Sequence, residues 1–183
     1  MAEELIINHC SPTLAGIKTG SLFSAPVKNK SQAIDMLRGW NRKLSKKGIV
    51  FLPLKYRQNT VLVYAYRPSL LYKYFENKNV SEILSSFGYA DMRLPQRISF
   101  LIDRLKKDDE FPHEIGLFLG YPPEDVLGFI KNGAANCKRL GCWKVYGDEE
   151  SALKTFKKYE KCTEIYSKLW NKGRSLERLT VAV

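Results

Sequence analysis

The sequence of 183 residues contains no long apolar run. A helix that crosses a bilayer needs about 20 predominantly apolar residues, and no stretch of this chain approaches that length. The opening residues, MAEELIINHC, include two acids and lack the basic and apolar regions of a secretory signal. We therefore expect a cytoplasmic protein without a membrane partner.

Several common catalytic and cofactor motifs are also missing. The sequence has no Gly-Lys-Ser/Thr phosphate loop, no GxGxxG fingerprint and no GxSxG nucleophile elbow. Nucleotide hydrolysis, dinucleotide binding and the α/β-hydrolase fold therefore have no motif support. The sequence leaves the cofactor, the reaction and the substrate unknown.

Histidine and cysteine are scarce, with two and four residues. Cys137 and Cys142 have no matching second pair, and His113-Glu114 lacks the second histidine of a HExxH zinc site. We therefore predict no metal site. A chain of this length needs no disulfide staples, and a cytoplasmic location is reducing, so we interpret all four cysteines as thiols.

The composition predicts one globular domain over residues 1–183. Hydrophobic residues make up 44% and charged residues 27% of the chain, both near the average for globular proteins. A domain of this size buries roughly 70% of the surface that its unfolded chain exposes. No linker-like tract and no internal repeat divides the sequence.

The spacing of apolar residues predicts an α+β fold. An amphipathic helix over 31–47 ends at Gly48, and the runs 49–56 and 61–66 form an antiparallel hairpin with a four-residue loop. Pro53 places the first run at a sheet edge or a bulge. Further helices are predicted at 69–77, 81–87, 95–107 and 148–171, and a closing strand at 179–183. Altogether we expect a small mixed sheet of about five short strands, packed by six or seven helices.

The region 111–133 is rich in turn residues. Pro112 can begin a helix that Gly120 ends, and Pro123 can begin a second helix that Gly133 ends. The pattern predicts a short helical hairpin with His113 and Glu114 at its start.

A second candidate site lies near the beginning of the chain. Ser11 and Pro12 are typical of a helix start, and Gly16 is typical of a helix end. Cys10 would then precede a helix N-terminus, where the helix dipole favours a thiolate over a thiol.

A reactive cysteine also requires a base. We predict a catalytic site in which Cys10 is the nucleophile, His113 the base and Glu114 the group that orients it. His9 is a weaker candidate, because neighbours in a strand point to opposite faces. The alternative is that Cys10 packs in the core and His113 caps a helix.

The turn after Cys10 offers donors for a small anionic ligand. Thr13, Lys18 and Ser21 supply hydroxyl and ammonium groups in a glycine-containing turn. The alternative is that Gly16 and Gly20 only reverse the chain direction.

The net charge of +11 is unevenly distributed. Residues 28–57 hold nine Lys and Arg residues against a single acid, Asp35. Arg38, Arg42 and Lys46 share the solvent face of the 31–47 helix, which is the footprint of a protein that binds nucleic-acid phosphates. A solvated surface and an interaction protein with neither site are the alternatives.

Four segments carry a resemblance to a known family. They are HCSPTLAGIKTGSLF, FPHEIGLFLGYPPEDVLGFI, CWKVYGDEE and ERLTV, which together span nearly the whole chain. They resemble a bacterial family defined only as a domain of unknown function, DUF3793. The resemblance implies a single-domain cytoplasmic protein. It also implies more cysteine near Cys142 than this chain has, and it brings no catalytic residue.

Overall fold

The computed structural model describes residues 2–107 and 111–183. Within these ranges the chain forms nine α-helices and five strands, so the predicted α+β class is confirmed. The strands form two antiparallel sheets, one of three strands and one of two, instead of one mixed sheet. Short connections join β2 to β3 and β4 to β5, which favours antiparallel pairing, whereas α2 and β2 lie between β1 and its partner β3 in the chain.

The internal contacts divide the chain into two compact units. The first unit comprises Met1–Leu71 and Lys161–Val183, and the second comprises Tyr72–Glu160. One domain over 1–183 stays a prediction.

The α-helices are α1 (Ala2–Leu14), α2 (Lys30–Leu44), α3 (Pro68–Phe75), α4 (Lys78–Leu84), α5 (Leu94–Lys107), α6 (Ile115–Phe118), α7 (Pro123–Asn132), α8 (Glu149–Asn171) and α9 (Leu176–Leu179). The strands are β1 (Gly20–Pro26), β2 (Val50–Arg57), β3 (Thr60–Tyr66), β4 (Arg139–Leu140) and β5 (Lys144–Val145).

The first unit is built on the three-stranded sheet, in the order β1-β3-β2. Phe23 pairs with Val63, and Ala65 pairs with Phe51, so these apolar side chains lie on one face of the sheet. That face packs against the buried sides of α1 and α2 and forms one continuous core.

The predicted helix over 31–47 is confirmed by α2 and the short 3₁₀ turn Ser45–Lys47 that follows it. The Asn29 side chain accepts a hydrogen bond from the backbone N–H of Gln32 and caps the helix start. Gly48 has a φ of +76° and ends the helical segment in the left-handed region that glycine tolerates.

The predicted hairpin is also confirmed, because β2 pairs antiparallel with β3. β2 is an edge strand, and its register shifts between Pro53 and Lys55, as expected for a proline that lacks a backbone donor. The predicted four-residue loop is wrong. Arg57 pairs with Thr60, so the strands continue to a turn of only two residues.

The predicted helix start at Ser11-Pro12 is wrong, because both residues lie inside α1. Ile6, Cys10 and Leu14 recur at helical spacing, and their burial holds the helix together past Pro12. The Ser11 hydroxyl donates to the Ile7 carbonyl, four residues back, and does not cap a helix. Gly16, with φ of +73°, follows the end of α1 as expected.

The predicted closing strand at 179–183 is wrong as well. The Ser175 side chain accepts from the Arg178 N–H and starts the short helix α9. Leu176 and Leu179 are three residues apart and both reach the core, which favours the helix over a strand. Beyond α9, the Val181 N–H donates to the Leu14 carbonyl.

The second unit contains α4 to α7, the small sheet and the first half of α8. Helices α6 and α7 confirm the predicted helical hairpin, with Gly120 and Gly133 at positive φ after their ends. The first helix begins only at Ile115, so His113 precedes it. Trp143, Val145 and Ala152 form a small core with the rings of neighbouring aromatic residues.

Among the helices of residues 2–107 and 111–183, none combines the length and the apolar composition needed to cross a membrane.

Candidate functional site

Cys10 is fully buried in the first unit. Burial raises the pKa of its thiol to about 12, and the charge of Lys18 and a hydrogen bond from Ser21 offset only part of that effect. The thiolate expected at a helix start is therefore wrong: Cys10 lies in the body of a helix and is protonated near neutral pH. The buried thiol behaves as a small core residue.

The predicted anion-binding residues cluster around the same thiol. The hydroxyls of Thr13 and Ser21 are 2.9 Å apart, hydrogen-bonded to each other and buried. Lys18 is half-buried and acts on Cys10 through its charge. The structure thus brings these residues together, with the two hydroxyls hydrogen-bonded to each other and shielded from solvent.

His113 and Glu114 belong to the second unit. His113 is exposed, and its ring packs edge-on against Phe129 with 4.9 Å between ring centroids. Glu114 is buried, and its Oε1 accepts from the Tyr89 hydroxyl and from Nη1 of Arg104. These contacts do not support the role of Glu114 in orienting His113. The pairing of Cys10 with His113 stays a prediction.

The cysteines near the small sheet, Cys137 and Cys142, are not in disulfides. Cys137 precedes β4, whereas Cys142 lies in the turn between β4 and β5 and is exposed. No group of three or more His, Cys, Asp or Glu side chains suited to a metal ion occurs in the described parts of the chain.

The sequence did not indicate two buried polar side chains, Arg67 and Asp125, as important residues. Arg67 is fully buried and donates to the backbone carbonyls of Thr13, Leu14, Lys47 and Val181. Burial lowers the pKa of Arg67. Two of these acceptors, the carbonyls of Thr13 and Leu14, lie in the last turn of α1, where carbonyls have no hydrogen-bond donor within the helix. The only signal in the sequence was a charged residue directly after the apolar strand β3.

The second is Asp125, in the first turn of α7. It accepts from Nε1 of Trp143 at 2.6 Å and from the backbone N–H groups of Tyr146 and Gly147, both at 2.7 Å. This carboxylate joins the segment 111–130 to the segment 142–150. These two segments, which also carry the family resemblance, are therefore held together by the hydrogen bonds of Asp125.

The charge of the protein is divided unequally between the two units. The first unit has 16 Lys and Arg residues against five Asp and Glu, and the second has 14 of each. The net charge of +11 thus belongs entirely to the first unit, and the second is formally neutral.

The exposed side of α2 concentrates this charge in Arg38, Arg42 and Lys46, which we call the cationic ridge. They recur every four residues and extend over about 12 Å of helix axis. Of the nine basic side chains in 28–57, Lys43 alone forms an ion pair with a described carboxylate, that of Glu3 at 2.6 Å.

Several lysines of α8, by contrast, form ion pairs on their own helix. Lys154 pairs with Glu150, and both Lys161 and Lys168 pair with Glu164, whose pKa these contacts lower to about 2. Three of the five lysines on α8 are thus locally neutralised, whereas the cationic ridge is not.

A groove of about 550 Å³ lies at the other end of α2. It is lined by Pro26, Val27, Lys28, Gln32 and Asn59, where the end of β1 meets the start of α2 and the β2–β3 turn. Beside it, the Lys30 ammonium lies 5.3 Å from the centre of the Tyr56 ring.

Comparison with known proteins adds a family assignment. The family model described as protein of unknown function (DUF3793) matches residues 6–180. No curated protein and no solved structure matches the chain. The matched range extends over most of both units and contains three of the four segments that carry the resemblance and all but the last residue of the fourth, so this chain belongs to the DUF3793 family.

Proposed function

We propose that this protein binds nucleic acid through the phosphate backbone, with the cationic ridge as the main contact surface. The observation that supports the proposal most strongly is the position of the net charge, which lies wholly in the first unit. Within that unit, the ridge side chains have no carboxylate partner among the described residues.

The absence of local partners matters because an ion pair cancels most of the field of its basic member. Unpaired cations on one surface add their potentials and attract a polyanion. Each phosphate contact then releases counterions, which favours association at low salt. The lysines on α8 that pair with glutamates contribute much less to such a field.

The competing hypothesis is a cysteine-dependent enzyme. Cys10 gives it no support, because the thiol is buried and its pKa is about 12. Catalysis by a thiol requires the thiolate, and a buried uncharged environment disfavours it.

The test is a comparison of two triple variants with equal charge changes. The first is R38A/R42A/K46A. The matched control is K131A/K157A/K158A, which removes three exposed helical lysines from the neutral second unit. Binding of a fluorescent mixed 20-base-pair duplex is measured by anisotropy in about 50 mM salt, where non-specific electrostatic binding is strong.

We expect the ridge variant to bind at least about ten-fold more weakly than the native protein, because three phosphate contacts are lost. The control variant should stay close to the native affinity. Equal losses in both variants would show that only total charge matters. Binding to vesicles of anionic lipid, with none to duplex or single-stranded oligonucleotides, would overturn the proposal and assign the ridge to a membrane surface.

A further inference from the structure

The groove at the start of α2 has a mixed lining. Pro26 and Val27 supply apolar lining, while Lys28, Gln32 and Asn59 supply polar groups. Its volume of about 550 Å³ lies within the range of ligand-binding clefts.

The polar groups of the groove are held in place by the backbone. Oε1 of Gln32 accepts from the Lys28 N–H at 2.6 Å, so the amide nitrogen of Gln32 remains as the donor. The Asn59 carbonyl accepts from the Val27 N–H, which fixes the turn against β1. The side-chain amide of Asn59 has no hydrogen-bond partner among the described residues and offers both a donor and an acceptor.

Amide side chains beside apolar lining residues match the edge of a nucleobase better than they match a carboxylate or a phosphate. Nucleobases present alternating donors and acceptors on a flat apolar ring, and Asn and Gln pair with such edges. Phosphates would instead contact the cations at the mouth of the groove, where Lys28 and Lys30 have no carboxylate partner among residues 2–107 and 111–183.

We infer that the groove binds one unpaired nucleobase of a single-stranded nucleic acid whose backbone follows the basic surface of α2. The inference rests on the proposed function and refines its substrate class. A base inside a duplex has its pairing edge occupied and is stacked, so it cannot enter the groove without being extruded. The protein therefore prefers single strands to duplexes.

The test uses two variants of the full chain that each add one negative charge. Q32E keeps an oxygen to accept from the Lys28 N–H but replaces the amide donor in the groove with a carboxylate. Q58E is the matched control, because Gln58 is exposed in the same hairpin turn and does not line the groove. Affinities for (dT)15 and for a 15-base-pair duplex are measured in about 50 mM salt, where electrostatic contacts are strong.

We expect Q32E to bind (dT)15 about ten-fold more weakly than Q58E, because one base contact is lost and replaced by repulsion. The two variants should bind the duplex equally. In ¹⁵N-correlated NMR spectra of the native protein, the side-chain amides of Gln32 and Asn59 should shift on addition of (dT)15.

Equal (dT)15 affinities for Q32E and Q58E, or unshifted side-chain amides at saturation, would overturn the inference. The proposed function would survive either result if R38A/R42A/K46A still weakened binding to both forms of DNA. Absence of binding to both forms by the native protein would instead remove the proposed function together with the groove inference.

Discussion

The indole Nε1 of Trp143 donates to Oδ2 of Asp125 at 2.6 Å, across 18 residues of sequence. The other carboxylate oxygen accepts from two successive backbone N–H groups. One buried side chain thus satisfies three donors and fixes the loop after β5 against α7. Asp125 is a structural residue of the second unit.

We predict that D125N lowers the free energy of unfolding of the protein by about 2 kcal/mol, because the amide can replace only one of the two oxygens. Its NH₂ group would face the indole N–H, leaving a buried donor without an acceptor. Urea denaturation, followed by circular dichroism, measures the loss.

A double-mutant cycle with W143F provides the control. Phenylalanine has no N–H, so D125N should cost about 1 kcal/mol less in the W143F background than in the native background. An equal cost in both backgrounds would contradict the importance of the Asp125–Trp143 hydrogen bond.

A second prediction concerns Arg67, which holds together α1, the turn after α2 and the residues that follow α9. Lysine keeps the charge but has one nitrogen in place of three, so it cannot reach four carbonyls. R67K should therefore reduce the free energy of unfolding by about 3 kcal/mol. R57K, at an exposed position, is the control and should change stability by less than about 0.5 kcal/mol. Similar urea midpoints for the two variants would be inconsistent with the clamp.

The third prediction is the order of cysteine reactivity. In the folded protein at pH 7.5, iodoacetamide should label the exposed Cys142 rapidly and the buried Cys10 very slowly, since alkylation needs an accessible thiolate. Mass-spectrometric mapping over time gives both rates, and denatured protein provides the unprotected reference. Faster labelling of Cys10 than of Cys142 would restore the hypothesis of a reactive thiolate.

The raised pKa of Cys10 also predicts a dependence of stability on pH. The ordinary thiol pKa is 9.0 and the folded value is about 12, so the unfolded chain loses its proton first as the pH rises. The stabilisation is therefore complete below pH 9.0 and is lost progressively as the pH rises toward 12.

In the steep part of that range the native protein should lose about 1 kcal/mol more per pH unit than C10A. C10A leaves a small cavity in the core, which lowers the free energy of unfolding at every pH. The comparison therefore uses the slope of the free energy of unfolding against pH, measured by urea denaturation from pH 8 to pH 11. Parallel slopes would mean that Cys10 does not titrate differently in the two states.

The sequence predicted local features that depend on one or two residues. Gly48 ended the α2 segment, Pro53 marked an edge strand with a bulge, and Pro123 with Gly133 bounded α7. In these cases the backbone conformation that one glycine or proline allows decides the local structure, and the packing of the surrounding residues is compatible with it.

The failures arise where packing outweighs such a signal. Pro12 is typical of a helix start, yet the buried face of α1 continues the helix through it. Because a helix start was predicted at Ser11-Pro12, Cys10 was expected at a helix N-terminus. The thiolate predicted there was wrong because α1 continues through Pro12 and buries Cys10. The partners of Asp125 and Arg67 lie between 18 and 114 residues away, and no local pattern predicts such contacts.

The most direct test of nucleic-acid binding is the salt dependence of duplex affinity for the native protein and for R38A/R42A/K46A. Each phosphate contact on duplex DNA contributes about 0.9 to the slope of log affinity against log salt. We predict that the variant has a slope smaller by about 2.7, while the fold, judged by circular dichroism, is unchanged. Identical slopes, or no binding by the native protein near 50 mM salt, would contradict a phosphate-binding role for the cationic ridge.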